Sequence, residues 1–347
     1  MSRLKVVVFG AGAWGRNHVR TLATMTDVQL AAVCDISPAR CDELKRQYPG
    51  TVITEDPEKA FSVAEAVVVA TPAGSHARLA REAVERGLPV LVEKPFTLSV
   101  GDAEAIAGLA EARGVSVVVG HLLLYHPAIE RLRTMVAGGE LGRPYYLYSQ
   151  RVNLGQVRPD ENALWSFGPH DISVAIHLLD APPVKVAAQG MSYLQPGIED
   201  VAFLTMEFDS GVMAHVQMSW LDPHKERRLT VVGSKRMVVF DDMQPREKLK
   251  IYDKGVDRPP EYASYGESLA IREGDIFVPR IPNVEPLTAE LRHFVAVVRG
   301  RETPRSGAVS GVDVVRVLAA ATESLAAGGI PVAVGQRTAQ KETVAQR

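Results

Sequence analysis

Apolar positions follow two different rules along this chain, and the change falls near residue 120. Before it, short unbroken apolar runs alternate with amphipathic stretches. Residues 4–9, 28–34, 64–70, 88–92 and 115–120 read as strands buried on both faces. Residues 16–25, 75–86 and 103–112 carry helical spacing between them. Strand and helix alternating at this interval predict an α/β fold with a doubly wound parallel sheet of the Rossmann type.

Beyond residue 120 the period shortens. Residues 126–137 read as a helix and 145–154 as a strand; 163–179 reads as a loop that becomes helical around HDISVAIHLL. In VAFLTMEF, Ala202, Leu204, Met206 and Phe208 share one face, and in VMAHVQMSW so do Val212, Ala214, Val216, Met218 and Trp220. The turn DSG joins these runs, and residues 228–232 and 237–241 flank a second turn, GSK. Such alternation predicts an α+β domain with an open, mostly antiparallel sheet, its apolar face covered by helices. Residues 253–286 are proline-rich without a clear period and read as one long loop of functional or interfacial character. Helices at 288–298 and 309–326 close the fold. The expected organisation is a dinucleotide-binding domain over 1–121, a substrate and oligomerisation domain over 122–335, and a polar tail over 336–347.

Composition narrows the function by exclusion. Thirty-nine basic and 41 acidic residues nearly cancel, so nothing advertises nucleic acid or an anionic membrane. The basic cluster of His224, Lys225, Arg227 and Arg228 contains Glu226 and reads as a solvated strand edge. No apolar run reaches the ~18 residues of a membrane span, and no signal-peptide pattern precedes VVVFGAG. Two cysteines, Cys34 and Cys41, make neither a disulfide framework nor a thiolate zinc site. The histidines contain no HExxH pattern, and no bound metal is expected. A cytoplasmic location fits these features.

The first strand runs into GAGAWG, with Gly10, Gly12 and Gly15 at dinucleotide-binding spacing. A glycine triplet alone is weak evidence, since a shuffled chain of this composition yields roughly 0.2 such matches. The context is what carries it: strand before, helix after, and a second strand ending on Asp35, twenty residues past Gly15. Gly10 permits the tight turn, Gly12 the approach of backbone to pyrophosphate, and Gly15 close packing of helix on strand, with the helix N-terminus facing the anion. Asp35 would accept hydrogen bonds from the adenosine ribose and repel a 2′-phosphate, favouring NAD over NADP, although nearby Arg40 could soften the preference. Two further loops at the carboxyl edge of the sheet carry TPAGSH (71–76) and EKP (93–95). Charged residues there face the crevice where open α/β sheets bind ligands.

GAGAWG, the Cys34–Asp35 pair, TPAGSH, EKP and the run GPHDISVAIHLL from Gly168 together resemble the glucose–fructose oxidoreductase, inositol dehydrogenase and rhizopine-catabolism (Gfo/Idh/MocA) dehydrogenases, over essentially residues 3–335. The resemblance implies a Rossmann domain joined to an open-sheet domain that often packs on a partner subunit as a homodimer or homotetramer. It also implies hydride transfer between a nicotinamide cofactor and a carbinol carbon of a sugar or cyclitol. By the same resemblance Lys94 stands beside the nicotinamide, Pro95 follows a cis peptide, and His170 is the catalytic histidine of the second domain. Ala13, Trp14, Thr71, Pro72, His76 and Glu93 line the cofactor. The position four residues before His170 commonly holds an acidic residue; here it is Ser166, which offers a weaker hydrogen bond.

Oxidising a secondary alcohol requires a base for the hydroxyl proton. Histidine, with an ordinary pKa near ~6.5, serves as it stands; lysine, near ~10.4, serves only where burial or a neighbouring positive charge disfavours its protonated form. His170 is therefore read as the acceptor with Lys94 polarising the same oxygen, and the reverse assignment stays open. Tyr125 and His126 are candidates for the pocket wall. Arg151, Asn153 and Arg158 precede the histidine segment, where arginine either grips a diphosphate or lies on the surface. Trp165 either stacks on a uracil or sugar face or packs between domains; Trp220 reads as core. His177, seven residues after His170, falls near the same helical face and reads as a packed histidine. The run RVNLGQVRPDENALWSFGPHDI resembles family members that oxidise the 3-hydroxyl of a UDP-N-acetylhexosamine. The alternatives are a free cyclitol, sugar or sugar phosphate as substrate, and, in another class, a non-catalytic NAD- or sugar-nucleotide-sensing protein.

Overall fold

A computed structural model describes residues 2–257 and 270–335. The first sheet contains β1 (Leu4–Phe9), β2 (Val28–Cys34), β3 (Val52–Thr54), β4 (Ala66–Val69), β5 (Val90–Glu93) and β6 (Val117–Gly120), in the order β3-β2-β1-β4-β5-β6 with every pair parallel. Its connecting helices are α1 (Gly15–Thr24), α2 (Pro38–Gln47), α3 (Pro57–Phe61), α4 (His76–Glu85) and α5 (Val100–Arg113). Val6, Val7, Val8, Val67, Val68, Leu91, Val92 and Val118 are wholly buried, as an apolar run covered by helices on both faces requires. The short edge strand β3 and helices α2 and α3 escape the hydrophobic pattern, because β3 is only three residues long and none of them is buried. Glu93 is the last residue of β5, so the charge sits within the strand and not past its end.

The second sheet has nine strands: β7 (Pro144–Val152), β8 (Lys185–Met191), β9 (Val201–Glu207), β10 (Met213–Ser219), β11 (Glu226–Gly233), β12 (Met237–Asp241), β13 (Leu249–Asp257), β14 (Ala270–Phe277) and β15 (Val332–Ala333). The order is β14-β13-β12-β11-β7-β10-β9-β8-β15, antiparallel except for the pair β7·β10. Ala202, Leu204, Met206, Ala214, Val216 and Met218 face the core as their alternation predicts. The helices of this half are α6 (Pro127–Ala137), α7 (Ala163–Leu179), α8 (Pro286–Val298) and α9 (Ala308–Ala326).

Two expectations are corrected. Residues 253–286 are not one loop: β13 and β14 pair as antiparallel neighbours, and only residues 258–269 of that stretch lie outside the described residues, as do residues 336–347. Alternation in β14 is masked because most of its residues are exposed, so no apolar face marks it. Segment 163–179 does not begin as a loop. It is helical throughout, capped by the Asn162 side chain, which accepts from the Trp165 amide at 3.0 Å, and it contains Pro169. A proline interrupts helical hydrogen bonding at one site without ending a helix that tertiary packing holds in place.

The last two helices do not stay with the second sheet. Leu287, Leu291, Phe294 and Val295 of α8 pack into the core formed by β1, β2 and α1. α9 divides its faces, Val312 and Val315 entering the Rossmann core while Val314, Val317 and Leu318 enter the other. The chain thus returns to brace its own beginning. Phe294→Ala removes a fully buried ring from that brace and is expected to cost about 3–5 kcal/mol; a urea midpoint equal to that of the unaltered protein would contradict this packing role.

Candidate active site

The dinucleotide turn has the shape its sequence predicts. Gly10 adopts φ +87°, and a Cβ on Gly15 would lie 2.1 Å from the Gly10 carbonyl oxygen, so no other residue fits there. Space around Gly12 is open. No side chain caps α1 and no acidic residue occupies its first turn, which leaves Ala13, Trp14 and Gly15 at an electropositive helix start. Asp35 is buried at the end of β2, where its carboxylate accepts the Ala11 amide at 2.7 Å and the Ser37 amide at 2.9 Å. Arg40 stands 3.5 Å from Oδ1 of that carboxylate, the oxygen that also accepts the Ser37 amide. The glycine cradle, the uncapped helix and the ribose-facing acid together fit a dinucleotide.

Glu93 organises the floor of the crevice. Its carboxylate receives the Trp14 indole N–H, pairs with His18 Nε2 at 2.7 Å and accepts the Lys94 amide at 3.1 Å. Burial by itself would raise the Glu93 pKa; the bond to His18 and the charges of His18 and Lys94 reverse this and hold it below the usual carboxylate range. The Lys94–Pro95 peptide is cis. His76 ties the two expected loops together, one ring nitrogen 2.8 Å from the Pro95 carbonyl and the other 2.8 Å from that of Thr71. Thr71 in turn accepts from Ser75, and Pro72 opens the short turn that leads into α4.

From this floor Lys94 reaches the other sheet's domain: its ammonium donates to the Ser166 carbonyl of α7 at 3.0 Å. Ser166 and His170 are four residues apart and share a helical face, so the lysine and the histidine converge on one wall. Burial is the chief cause lowering the Lys94 pKa; Arg158 and Arg151 add to it, while Glu161 and Glu93 oppose it. His170 lies well below the ordinary histidine value, first through burial and then through the charges of Arg151 and Lys94. Its Nδ1 is buried without a hydrogen-bond partner.

Other expected residues take different places. Arg151 is buried and grips Asp171 at 2.5 Å, bracing β7 against α7. Arg158 remains at the surface, 3.0 Å from Glu161, and Asn153 follows β7 with its amide on the Ser219 carbonyl. Trp165 packs on both cores and donates to Thr322 at 3.0 Å, the domain-packing alternative. Trp220 is fully buried with its indole on Asp200. Tyr125 does not line the crevice: it is 1 % exposed with its hydroxyl 2.9 Å from Ser306, inside the packing between β6 and α8. His126 caps α6, Nδ1 accepting the Ala128 amide. Sequence reasoning missed His18, His121 and Glu290. His121 directly follows the carboxyl end of β6, where the crevice rule could have flagged it; His18 stands one helical turn past Gly15. Glu290 carried no signal, since a lone acid in an amphipathic helix reads as a solvated face. Among the described residues, no cluster of three His, Cys, Asp or Glu is placed to hold a metal ion, and no helix is long and apolar enough to cross a membrane.

With this geometry in hand, relatives define the class. The sequence profile of the oxidoreductase family with the NAD-binding Rossmann fold matches residues 4–121, and that of the Gfo/Idh/MocA C-terminal domain matches residues 129–239. The chain belongs to the Gfo/Idh/MocA family, and it is an NAD-dependent oxidoreductase. It is 28 % identical over 330 residues to a UDP-N-acetylglucosamine 3-dehydrogenase of Acidithiobacillus ferrooxidans, covering 93 % of this chain and 96 % of that one. It is also 26 % identical over 347 residues to the scyllo-inositol 2-dehydrogenase (NAD(+)) of Bacillus subtilis, covering 95 % and 96 %. An oxidoreductase structure from Magnetospirillum magnetotacticum MS-1 superposes with a TM-score of 0.78 at 32 % identity, over 92 % of this chain and 99 % of the other.

Two expectations can be measured on the protein alone. Asp35→Ser is expected to weaken NAD by about tenfold to a hundredfold, the worth of hydrogen bonds to a charged acceptor, and to admit NADP; calorimetry with both cofactors checks it. Glu290 is buried with both oxygens unpartnered, and burial, then the charge of Glu93, raise its pKa well above the ordinary value. A raised folded-state pKa contributes stability below the unfolded value of ~4.3 that is lost as pH climbs toward the folded value. Glu290→Gln should therefore raise the urea midpoint, more at about pH 8 than at about pH 5.

Proposed function

We propose that this chain oxidises a secondary hydroxyl, at C3, of a nucleotide-linked amino sugar of the UDP-N-acetylglucosamine type to the 3-keto sugar. The observation that carries the reading is the bond from Lys94 to the Ser166 carbonyl, which brings a cation of the Rossmann half onto the helical face that bears His170. Bound NAD accepts the hydride from the carbinol carbon. His170 takes the hydroxyl proton; burial and the charges of Arg151 and Lys94 keep the ring unprotonated and so available to receive it. Lys94 exchanges its bond to the Ser166 carbonyl for one to the reacting oxygen and polarises it. Trp14 and Glu93, bonded to each other, would hold the floor of the dinucleotide site. Arg158, with about half of its side chain exposed, is free to swing onto a diphosphate. Likeness to the UDP-N-acetylglucosamine enzyme supports the substrate class.

The cyclitol alternative draws support from the inositol dehydrogenases of similar identity. NADH formation over a panel of UDP-N-acetylglucosamine, sugar phosphates and inositols separates them; reaction with inositol and none with the sugar nucleotide would overturn the proposal. A purely NAD-sensing role has no use for two proton-transfer groups on one wall. We also propose self-association through the open face of the nine-stranded sheet, where Tyr146, Tyr148, Phe203 and Met213 are exposed and the two tyrosines stack at 6.2 Å; light scattering should return a multiple of 37.6 kDa.

The roles of the two groups separate by mutation and by pH. His170→Asn is expected to slow hydride transfer by about 10²–10⁴-fold, and Lys94→Ala less; near-full chemistry in the histidine variant would make Lys94 the base. Because His170 must be neutral and its pKa is depressed, the acid limb of kcat/KM should lie below the ordinary histidine value of ~6.5. Arg151→Gln removes a neighbouring positive charge and leaves Asp171 unpaired, both favouring the imidazolium. The limb should then move upward.

A further inference from the structure

Oxidation by NAD releases one proton per turnover, and a base buried beneath its substrate must discharge that proton before the next cycle. The helix that carries His170 continues its own face with protic residues: Ser173, His177 and Asp180 follow at intervals of three, four and three. The Ser173 hydroxyl donates to the His170 carbonyl at 2.9 Å. Beyond His170, which does not itself line it, this stripe borders a cavity of about 150 Å³ lined by Ser173, His177 and Asp180 of the α7 end, by Ser310 of α9, and by His121 and Arg305. Its volume admits a short file of water molecules. His121 lines the inner end, is 1 % exposed, and has neither ring nitrogen hydrogen-bonded within the protein. The outer end opens at Asp180, whose side chain is 84 % exposed.

We propose that this cavity is a proton exit, through which the proton taken from the substrate hydroxyl leaves the back of His170 by way of His121, Ser173 and His177 and reaches solvent at Asp180. The proposal rests on the reading of His170 as the acceptor. In each cycle the hydroxyl O–H bond breaks toward His170 Nε2 while hydride passes to NAD. The imidazolium then loses the proton on Nδ1, the nitrogen that is buried without a partner, and bulk water gains it; the ring is left with its proton on Nε2 and regains the Nδ1–H form by exchanging that proton with water in the emptied crevice before the next substrate binds. His121 is close enough to His170 for charge on one to lower the pKa of the other. His121 and His177 are both held near a pKa of about 4, chiefly by burial, with Lys94 adding to the first and Arg133 and Arg305 to the second. Glu93 opposes the shift at His121, and Asp180 opposes it at His177.

Two variants obstruct the path at different walls: His177→Phe removes a relay group, and Ser310→Leu fills the cavity from α9 without altering a histidine. The first measurement needs no substrate. Deuterium exchange at histidine C2 carbons, carried out on the folded protein and read by mass spectrometry of its peptides, should slow at least threefold at His121 in both variants, with His18 unchanged as the buried control. Equal exchange rates at His121 would overturn the proposal. In the second, stopped-flow mixing with NAD and UDP-N-acetylglucosamine follows NADH absorbance beside a pH indicator. The unaltered enzyme should release proton and form NADH together. The variants should show proton lagging NADH and turnover lowered about tenfold, recovered by added imidazole buffer. Proton and NADH keeping step in both variants would also overturn it. Failure of the unaltered enzyme to form NADH with any of the panel would count against the proposed function, while the exchange measurement still decides the path.

Discussion

A single buried carboxylate holds the catalytic crevice together. Glu93 ends a strand that is otherwise pure hydrocarbon, and a charge in that position is tolerable only because three donors surround it: the Trp14 indole, the His18 ring and the Lys94 amide. Those donors come from the two pieces that must agree for hydride transfer, the dinucleotide turn and the EKP corner. Desolvation makes each bond stronger than it would be in water and makes losing one costly. The carboxylate therefore works as a geometric lock between the dinucleotide turn and Lys94.

The lock explains the placement of what lies above it. With the Lys94 backbone fixed, its side chain extends to the Ser166 carbonyl, and the second domain completes the site through α7. That helix is itself braced by the buried Arg151–Asp171 pair from β7 and by Trp165, whose ring touches both cores. α8 and α9 then return from the far end of the chain to pack on the Rossmann half. The two halves are sewn together by packing, so the distance between the lysine and the histidine is set by rigid elements and not by a loose hinge.

Ser166 shows how a departure from the family pattern is absorbed. Its main-chain carbonyl accepts from the Lys94 ammonium, and Glu161 and Glu93 stand near enough to favour the charged form. The ammonium is partnered but not neutralised, and burial pulls its pKa down. The same positive charge helps keep His170 neutral. Burial, with neighbouring positive charge, thus lowers the pKa of both groups.

Much of this was legible in the residues alone. Period and composition are local properties, so β1 and β2 fall where the apolar runs lie, the alternation of β9 and β10 marks their buried faces, and the glycine spacing announces the dinucleotide turn because only a residue without Cβ fits over the Gly10 carbonyl. Elements without a buried face, such as β3 and β14, left no such trace. The helical start of α7 was hidden as well, since local propensity around a proline yields to packing that only the folded chain supplies. Which polar groups become buried partners is likewise a matter of what lies across a gap of dozens or hundreds of residues: Arg151 finding Asp171, Tyr125 finding Ser306, Glu290 enclosed near Glu93. A chain can declare the chemistry it carries, but burial and charge neighbourhood, which set the acidity of every group in this crevice, exist only after distant segments have met.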